Sequence, residues 1–486
     1  MAESLKEKTA KGLFWGGLSN IIQQLLSLVI GVVLARKLTQ DDYGMVGMLA
    51  IFSATAAALH EGGFISALCR KKDVTHEDYN AVFWTSSLVS LSLYVILFFC
   101  APLIADFYQV PELIPLARFI FVGFFLSSLG VAPRAITFRK MMVRENTIVY
   151  ITAQVLSGIV GITMAIKGYA YWGIATQTLV YVSVISLLNF YFAKWHPTFA
   201  FNFAPIRELI GFSSKLVLTN IVNVVNNNLF AVVLGKLYTT HVVGNYTQAN
   251  KWNTMGYSLG SNMIIGIAQP IFAKTNDDPA RQKQIFRKVL RFTAFISFPF
   301  MFGLSIVSEE FIVILLTEKW LESAHLLRIL CIAGAFIPFS TLFSNLLISK
   351  GRSTTYFFTT LALCIVQLGA AWFSSPFGIT VMVWIYTAVT ISWLFVWFFL
   401  ARKNLGITIL EVGKDVIPYF LLAGGIALMA NEWLTDISNI YLRFFAKLFL
   451  AGGTYCLALW LLNSTIFKES IEFIKKKRTK KPIDYV

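Results

Sequence analysis

Long apolar runs separated by short polar segments make up almost all of this chain. Runs of the ~20 residues that carry a helix across a bilayer recur at 13–35, 43–67, 82–104, 113–135, 146–166, 170–193 and 210–234. They continue at 252–273, 292–316, 325–348, 355–375, 379–400, 416–431 and 443–464. The runs are continuous and do not alternate, which excludes a β-barrel. Backbone groups in lipid must be satisfied within their own segment, so each run is expected to be helical. The pattern predicts an all-α polytopic membrane protein with about fourteen transmembrane helices. The eighth run, Trp252 to Ala273, is the most polar, and the thirteenth is the shortest.

Composition agrees. Hydrophobic residues are 57% and charged residues 14%, against about 25% charged in soluble chains. The formal net charge of +16 sits in short clusters between the runs, where it orients a membrane protein, so no nucleic-acid partner is expected. With the N-terminus cytoplasmic, most basic residues fall on the inside. Lys274, Arg281, Lys283, Arg287, Lys288 and Arg291 form the largest cluster before the tail, while 105–111 and 374–378 carry none. Both termini are therefore expected on the cytoplasmic side of a bacterial inner membrane. The tail Lys475-Lys476-Lys477-Arg478 with Lys480-Lys481 reads as an anchor to anionic membrane lipids.

Leu13 to Ala35 is about twice as long as the apolar core of a signal peptide and ends in Arg36-Lys37, so it reads as the first span. The five cysteines are scattered, without a Cys-x-x-Cys pair, so neither disulfides nor a metal site is expected. There is no Gly-x-x-x-x-Gly-Lys-Ser/Thr phosphate loop and no loop with room for an ATPase domain. Neither a cofactor nor catalytic residues are expected, and the chain reads as a transporter and not an enzyme.

The seventh run repeats the first at an offset of 200 residues. Leu18-Ser19-Asn20-Ile21-Ile22-Gln23 aligns with Leu218-Thr219-Asn220-Ile221-Val222-Asn223, Val32 to Arg36 aligns with Val232 to Lys236, and Gly44 aligns with Gly244. Parallel repeats are one plan for transporters, with the path between the halves. Asn20, Gln23, Gln24 and Ser27 share one face of the first helix. Asn220, Asn223 and Asn227 make the same stripe on the seventh, flanked by Asn226 and Asn228. Carboxamides in hydrocarbon face protein or water. The stripes are either interhelical glue or the lining of a substrate cavity.

Several short motifs carry a resemblance. Lys11-Gly12-Leu13-Phe14-Trp15 opens the first run, and Glu61-Gly62-Gly63-Phe64-Ile65-Ser66-Ala67-Leu68 leads into Arg70-Lys71-Lys72-Asp73. Leu103 to Tyr108 precedes Val110-Pro111-Glu112-Leu113, Gly244-Asn245-Tyr246 leads into Ala249-Asn250-Lys251, and Glu318-Lys319-Trp320 is followed by Leu326-Leu327-Arg328. In this order the chain resembles the polysaccharide flippases of the MOP superfamily, the Wzx-type branch that exports lipopolysaccharide, teichuronic-acid and colanic-acid units. The likeness runs from about Leu5 to Leu400.

The resemblance implies two pseudo-symmetric six-helix lobes, 1–200 and 201–402, then two extra helices in 403–467 and a basic cytoplasmic tail, 468–486. It also implies alternating access, with an undecaprenyl-diphosphate-linked oligosaccharide flipped from the cytoplasmic to the outer leaflet. A polysaccharide polymerase and a chain-length regulator are the expected protein partners. Relatives often carry Asp where this chain has Asn227 or Asn228, so ion coupling through that position is not carried over. The alternatives are a multidrug cation antiporter of the same superfamily, and a membrane glycosyltransferase or O-antigen polymerase.

A diphosphate head calls for cations, since Arg can clamp phosphate with two hydrogen bonds. Arg118 and Arg134 in the fourth run and Lys215 at the mouth of the seventh are the candidates. Arg134, beside Arg139 and Lys140, has snorkelling to the interface as its other reading. Glu61, preceded by His60, is the candidate for carrying a coupling ion, against a buried pair with an Arg. Glu309 and Glu310 pose the same choice. Asp41-Asp42 could suggest an acidic glycosyltransferase pair, but Thr39-x-x-Asp42 reads better as a helix cap.

Overall fold

The computed structural model describes residues 5–60, 64–202, 204–275, 278–434, 436–469 and 472. Among these, all regular structure is helical. The helices up to the first long linker are α1 (Leu5–Lys37), α2 (Gln40–His60), α3 (Ser66–Arg70), α4 (His76–Tyr108), α5 (Leu113–Leu129), α6 (Val131–Arg139), α7 (Val143–Ile166) and α8 (Tyr171–Ala193). Then follow α9 (Ala204–Leu237), α10 (Thr240–Lys274), α11 (Pro279–Ile306), α12 (Ser308–Leu316), α13 (Leu321–Gly334), α14 (Ile337–Ser349), α15 (Ser353–Ser374), α16 (Ile379–Leu405), α17 (Ile409–Trp433) and α18 (Ile440–Leu461).

Within the described residues the apolar runs fall on helices, with 113–135, 292–316 and 325–348 each divided between two consecutive ones. Twelve helical stretches among the described residues are long and apolar enough to cross a membrane, and thirteen if α5 and α6, bent by 43° at their junction, cross as one. The count of fourteen is not reached. The missing one is α10, which at 35 residues is long enough but too polar. In the other direction, α17 outgrows its expected 416–431. Thr408 and Glu411 form a reciprocal capping box, the Glu411 carboxylate accepting from Thr408 N–H at 2.9 Å and the Thr408 hydroxyl from Glu411 N–H at 3.3 Å. That box starts the helix two turns early.

The chain folds as two compact units, Met1–Thr247 and Gln248–Val486. In the first, α1 packs on α7, α7 on α8, α8 on α5, and α2 and α4 hold α9. Tyr108 O–H donates to the Met48 carbonyl at 3.2 Å, and the Lys236 ammonium donates to the Phe107 carbonyl at 2.8 Å, so α2, α4 and α9 are tied at one end. The linker after α8 is strapped to the start of α4. Asn80 accepts from Thr198 N–H at 2.9 Å and donates to the Ala200 carbonyl at 2.8 Å, while Trp84 Nε1–H donates to the Thr198 carbonyl at 2.8 Å.

The 200-residue offset recurs in the helix bounds: α1 ends at Lys37 and α9 at Leu237, α2 begins at Gln40 and α10 at Thr240. It recurs in packing as well. A Cβ added at Gly44 would overlap the Thr240 carbonyl oxygen, and one at Gly244 would overlap the Gln40 carbonyl oxygen. Glycine is required at both positions because each backbone lies against the other helix's first turn. The expected cap is present, with Asp42 accepting from Thr39 N–H at 2.8 Å.

In the second unit α11 is central, packed by α13, α17 and α18. Its Phe298, fully buried, meets the Phe336 and Phe420 rings at 5.2 and 5.4 Å. Ion pairs hold α17 to α11 and α18 to α12. At one end Arg287 and Arg291 reach Asp415 at 2.6 and 3.2 Å, and Lys283 reaches Glu411 at 2.8 Å. At the other, Glu310 on α12 pairs with Arg443 at 2.6 Å and Lys447 at 2.7 Å on α18, and Glu309 pairs with Arg443 at 3.2 Å. Glu310 and Lys447 are both buried, so of their two sequence readings this structure displays the buried pair for Glu310.

Candidate functional site

Three of the expected cavity residues meet in one place within the first unit. Asn20 and Gln23 of α1 and Arg134 of α6 line a cavity of about 460 Å³ closed by Ser19, Asn146, Thr147 and Tyr150. The geometry follows from the local sequence. Gly130 lets the chain bend between α5 and α6, and Ser186 of α8 fills the space a Cβ would take. The bend carries Arg134 away from the axis of α5 and over α7, where its guanidinium carbon lies 5.6 Å from the centre of the Tyr150 ring. Gln23 donates to the Ser19 hydroxyl at 2.8 Å, which points its amide along the cavity wall. Asn20 is exposed on the same wall, and Gln24 lies exposed one position beyond Gln23.

This wall can do defined chemistry. Carboxamides and hydroxyls donate to and accept from sugar hydroxyls, an aromatic ring offers a flat apolar face, and a guanidinium binds phosphate oxygens with paired hydrogen bonds. Asn146, Thr147 and Tyr150 escaped sequence reading because nothing in their spacing says that α7 faces α1. The neighbouring Arg139 takes no part. It donates to the Leu68 carbonyl at 2.7 Å and to the carbonyls of Lys71 and Lys72, capping the end of α3.

The other candidates lie elsewhere. Arg118, near the opposite end of α5 from Arg134, stacks on Phe98 at 4.3 Å and donates to the Phe98 carbonyl at 3.3 Å. On α9, Asn220 and Asn223 are half-buried and Asn227 is exposed, while Asn228 bonds back to the Val224 carbonyl at 2.8 Å. The Lys215 side chain and all of Glu61 lie outside the described residues, as does the basic run of the tail.

A second polar face lies on the part of α10 that belongs to the second unit. Asn250, Lys251, Thr254, Tyr257 and Ser258 are half-buried and Asn262 is exposed, while Trp252, Asn253 and Gly256 are buried behind them. These open positions fall on one side of the helix. Polar side chains on such a face can bond to water or a polar ligand, although Leu259, Met263 and Ile265 of α10 are exposed as well. In the sequence this run is the most polar of the fourteen, and that polarity is the signal for this face.

A family model described as "Polysaccharide biosynthesis protein" matches residues 33–325. The chain belongs to this polysaccharide biosynthesis family. Members similar to it include the lipopolysaccharide biosynthesis protein WzxC of Escherichia coli (strain K12), 28% identical over 359 residues, covering 72% of this chain and 71% of the relative. The teichuronic acid biosynthesis protein TuaB of Bacillus subtilis (strain 168) is 23% identical over 481 residues, 98% of this chain and 99% of its own. That match carries past Leu400, where the motif resemblance fades.

Among solved structures, this polysaccharide biosynthesis protein has the fold of the lipid II flippase MurJ in an inward closed conformation, with a TM-score of 0.74 at 16% identity over 94% of this chain and 99% of that one. An inward-facing multidrug resistance MATE family transporter of the MOP superfamily scores 0.63 at 17% identity, covering 79% of this chain and 94% of that one. The fold is thus that of multi-pass membrane transporters, and the protein is a multi-pass membrane protein of polysaccharide biosynthesis.

Proposed function

We propose that this protein flips an undecaprenyl-diphosphate-linked oligosaccharide from the cytoplasmic to the outer leaflet of the bacterial inner membrane by alternating access. The observation that carries the reading is the cavity that brings the carboxamides of Asn20, Gln23 and Asn146 together with Arg134 and Tyr150. Its carboxamides suit glycan hydroxyls, and Arg134 suits the diphosphate. WzxC and TuaB, by their names, serve lipopolysaccharide and teichuronic acid biosynthesis, and MurJ is a lipid II flippase. A carbohydrate on a lipid carrier is the cargo class these names share with the cavity's chemistry.

The lobes of this transporter are 1–200 and 201–402, with 403–467 as an appended helix pair and 468–486 as a basic tail. Both termini are cytoplasmic, as the distribution of Lys and Arg directs. In this reading Asn220, Asn223 and Asn227 of α9 also contact the substrate along its path, Lys215 and, to a lesser extent, Arg118 are further phosphate contacts, and Glu61 carries the coupling ion. A polymerase and a chain-length regulator receive the product. Export of organic cations fits less well, because the described lining of the cavity holds a cation and no carboxylate.

A strain lacking the gene should accumulate lipid-linked repeat units on the cytoplasmic leaflet and lose surface polysaccharide, with both restored by the wild-type gene. Unchanged surface polysaccharide without accumulation would overturn the reading.

A further inference from the structure

Beside the ion pairs of Glu310, a polar pocket of about 100 Å³ lies among α12, α13, α17 and α18 of the second unit. Arg443 and Lys447, both paired with Glu310, line it together with Glu309, His325, Arg328 and Asn431. In the orientation proposed above, this end of the unit faces outward.

The polar groups of the pocket do not use one another up. Glu310 is 1% exposed, yet Lys447 and Arg443 both approach its Oε1, and its buried Oε2 has no hydrogen-bond partner. Arg328 offers its backbone carbonyl to Ser305 at 2.8 Å, but its guanidinium has no hydrogen bond or ion pair among the described residues. The half-buried Asn431 amide has none there either. A buried acceptor left open is costly, so the pocket is built to receive a donor.

The chemistry of that donor is narrow. A metal cation would satisfy Glu310 but would sit among Arg328, Arg443 and Lys447, whose charges repel it. A simple anion would suit those cations and leave Glu310 Oε2 open, because it has no hydrogen to give. A hydroxyl both donates and accepts, and neighbouring hydroxyls on one ring supply several such groups at fixed spacing.

We propose that this pocket is an outer-face sugar site that binds the hydroxyl-bearing edge of one ring of the exported glycan. The site rests on the flippase reading and is separate from the cavity of the first unit. Glu310 Oε2 accepts from one hydroxyl, while Arg328 and Asn431 donate to its neighbours. The volume of about 100 Å³ exceeds the ~30 Å³ share of one water and is too small for an oligosaccharide, so a single ring enters edge-on. A glycan held there after crossing is kept from returning.

The test uses the full-length protein without its five native thiols, carrying His325→Cys at the exposed rim and purified in a sugar-free detergent. The probe is the oligosaccharide released by mild acid from the surface polysaccharide of the same strain. It should slow the reaction of the introduced cysteine with a water-soluble thiol reagent severalfold, and saturably. Arg328→Gln should raise the half-protecting concentration about tenfold or more, and Arg328→Lys should recover part of the loss. Because the Arg328 side chain holds no partner, Arg328→Gln should melt with its parent. Protection that survives both Arg328→Gln and Asn431→Leu overturns the assignment to this pocket. Equal protection by inorganic phosphate overturns the sugar in favour of an anion. No protection by the oligosaccharide leaves the pocket to water and overturns the site. Should the deletion strain nevertheless accumulate lipid-linked units, the outer site falls alone and the flippase reading stands.

Discussion

Gly44 and Gly244 occupy equivalent positions 200 residues apart, and each lies against the first-turn carbonyl of the helix that carries the other. The Gly44 side of α2 meets Thr240, and the Gly244 side of α10 meets Gln40. Residue i meets the counterpart of j while j meets the counterpart of i, the signature of a two-fold relation, here within one chain. Gly44→Ala should cost about 1–3 kcal/mol through overpacking, and Gly244→Ala a similar amount. Because both act at one crossing, the double variant should fall short of the sum. Thermal unfolding of the purified variants reads this; unchanged melting of both singles would mean that the helices separate at no cost.

Glu310→Gln strands Lys447, whose other polar contact is the Ile306 carbonyl at 3.1 Å. Removing one member of a buried pair costs roughly 3–5 kcal/mol. Glu310→Gln with Lys447→Met should recover most of that loss, which a double-mutant cycle in denaturant or heat would measure. Equal losses in the single and double variants would show that the pair is not coupled.

Cysteines placed at Asn20 and Gln23, in a background lacking the five native thiols, should react with water-soluble thiol reagents. A cysteine at the fully buried Ala135 on the back of α6 should resist. Protection of all three would rule out a water-filled cavity.

Arg134→Ala should lower export of lipid-linked units by about tenfold or more, the effect of losing a charge-assisted phosphate contact of 1.5–3 kcal/mol. Arg118→Ala, whose loss frees only the Phe98 carbonyl and ring, should act mainly on melting temperature. Export assayed at matched protein levels distinguishes them, and the reverse ranking would move the phosphate contact to Arg118.

Asn80→Ala removes both bonds that hold the linker at Thr198 and Ala200. Limited proteolysis should then cut within 194–202 several-fold faster than in wild type, while cuts elsewhere keep their rate. An unchanged cleavage pattern would mean that Trp84 holds the linker unaided.

The helices were legible because lipid allows a backbone almost no other choice, and the Thr39–Asp42 cap was legible because both partners sit within four residues. The extent of α17 was not. The run 416–431 stops short of Glu411 and Asp415, and the cations that pair with them, Lys283, Arg287 and Arg291, come from α11. For the site, Asn20 and Gln23 were visible as a stripe, since periodicity along one helix is a sequence property. Asn146 and Tyr150 were invisible because their role depends on which helix packs opposite. Lys251 was in view as part of a motif, but that it stands half-buried on one side of α10 with Asn250, Thr254 and Ser258 shows only in three dimensions.

The ion pairs of α17 and α18 have a consequence for grafting. Strip those two helices away, and Arg287, Arg291, Glu309 and Glu310 would remain on α11 and α12 without their counter-ions. A graft of this helix pair onto a core lacking these charges would leave Glu411, Asp415, Arg443 and Lys447 without their partners. The helix pair and the side chains at 287, 291, 309 and 310 thus form one electrostatic unit, which has to be moved or removed whole.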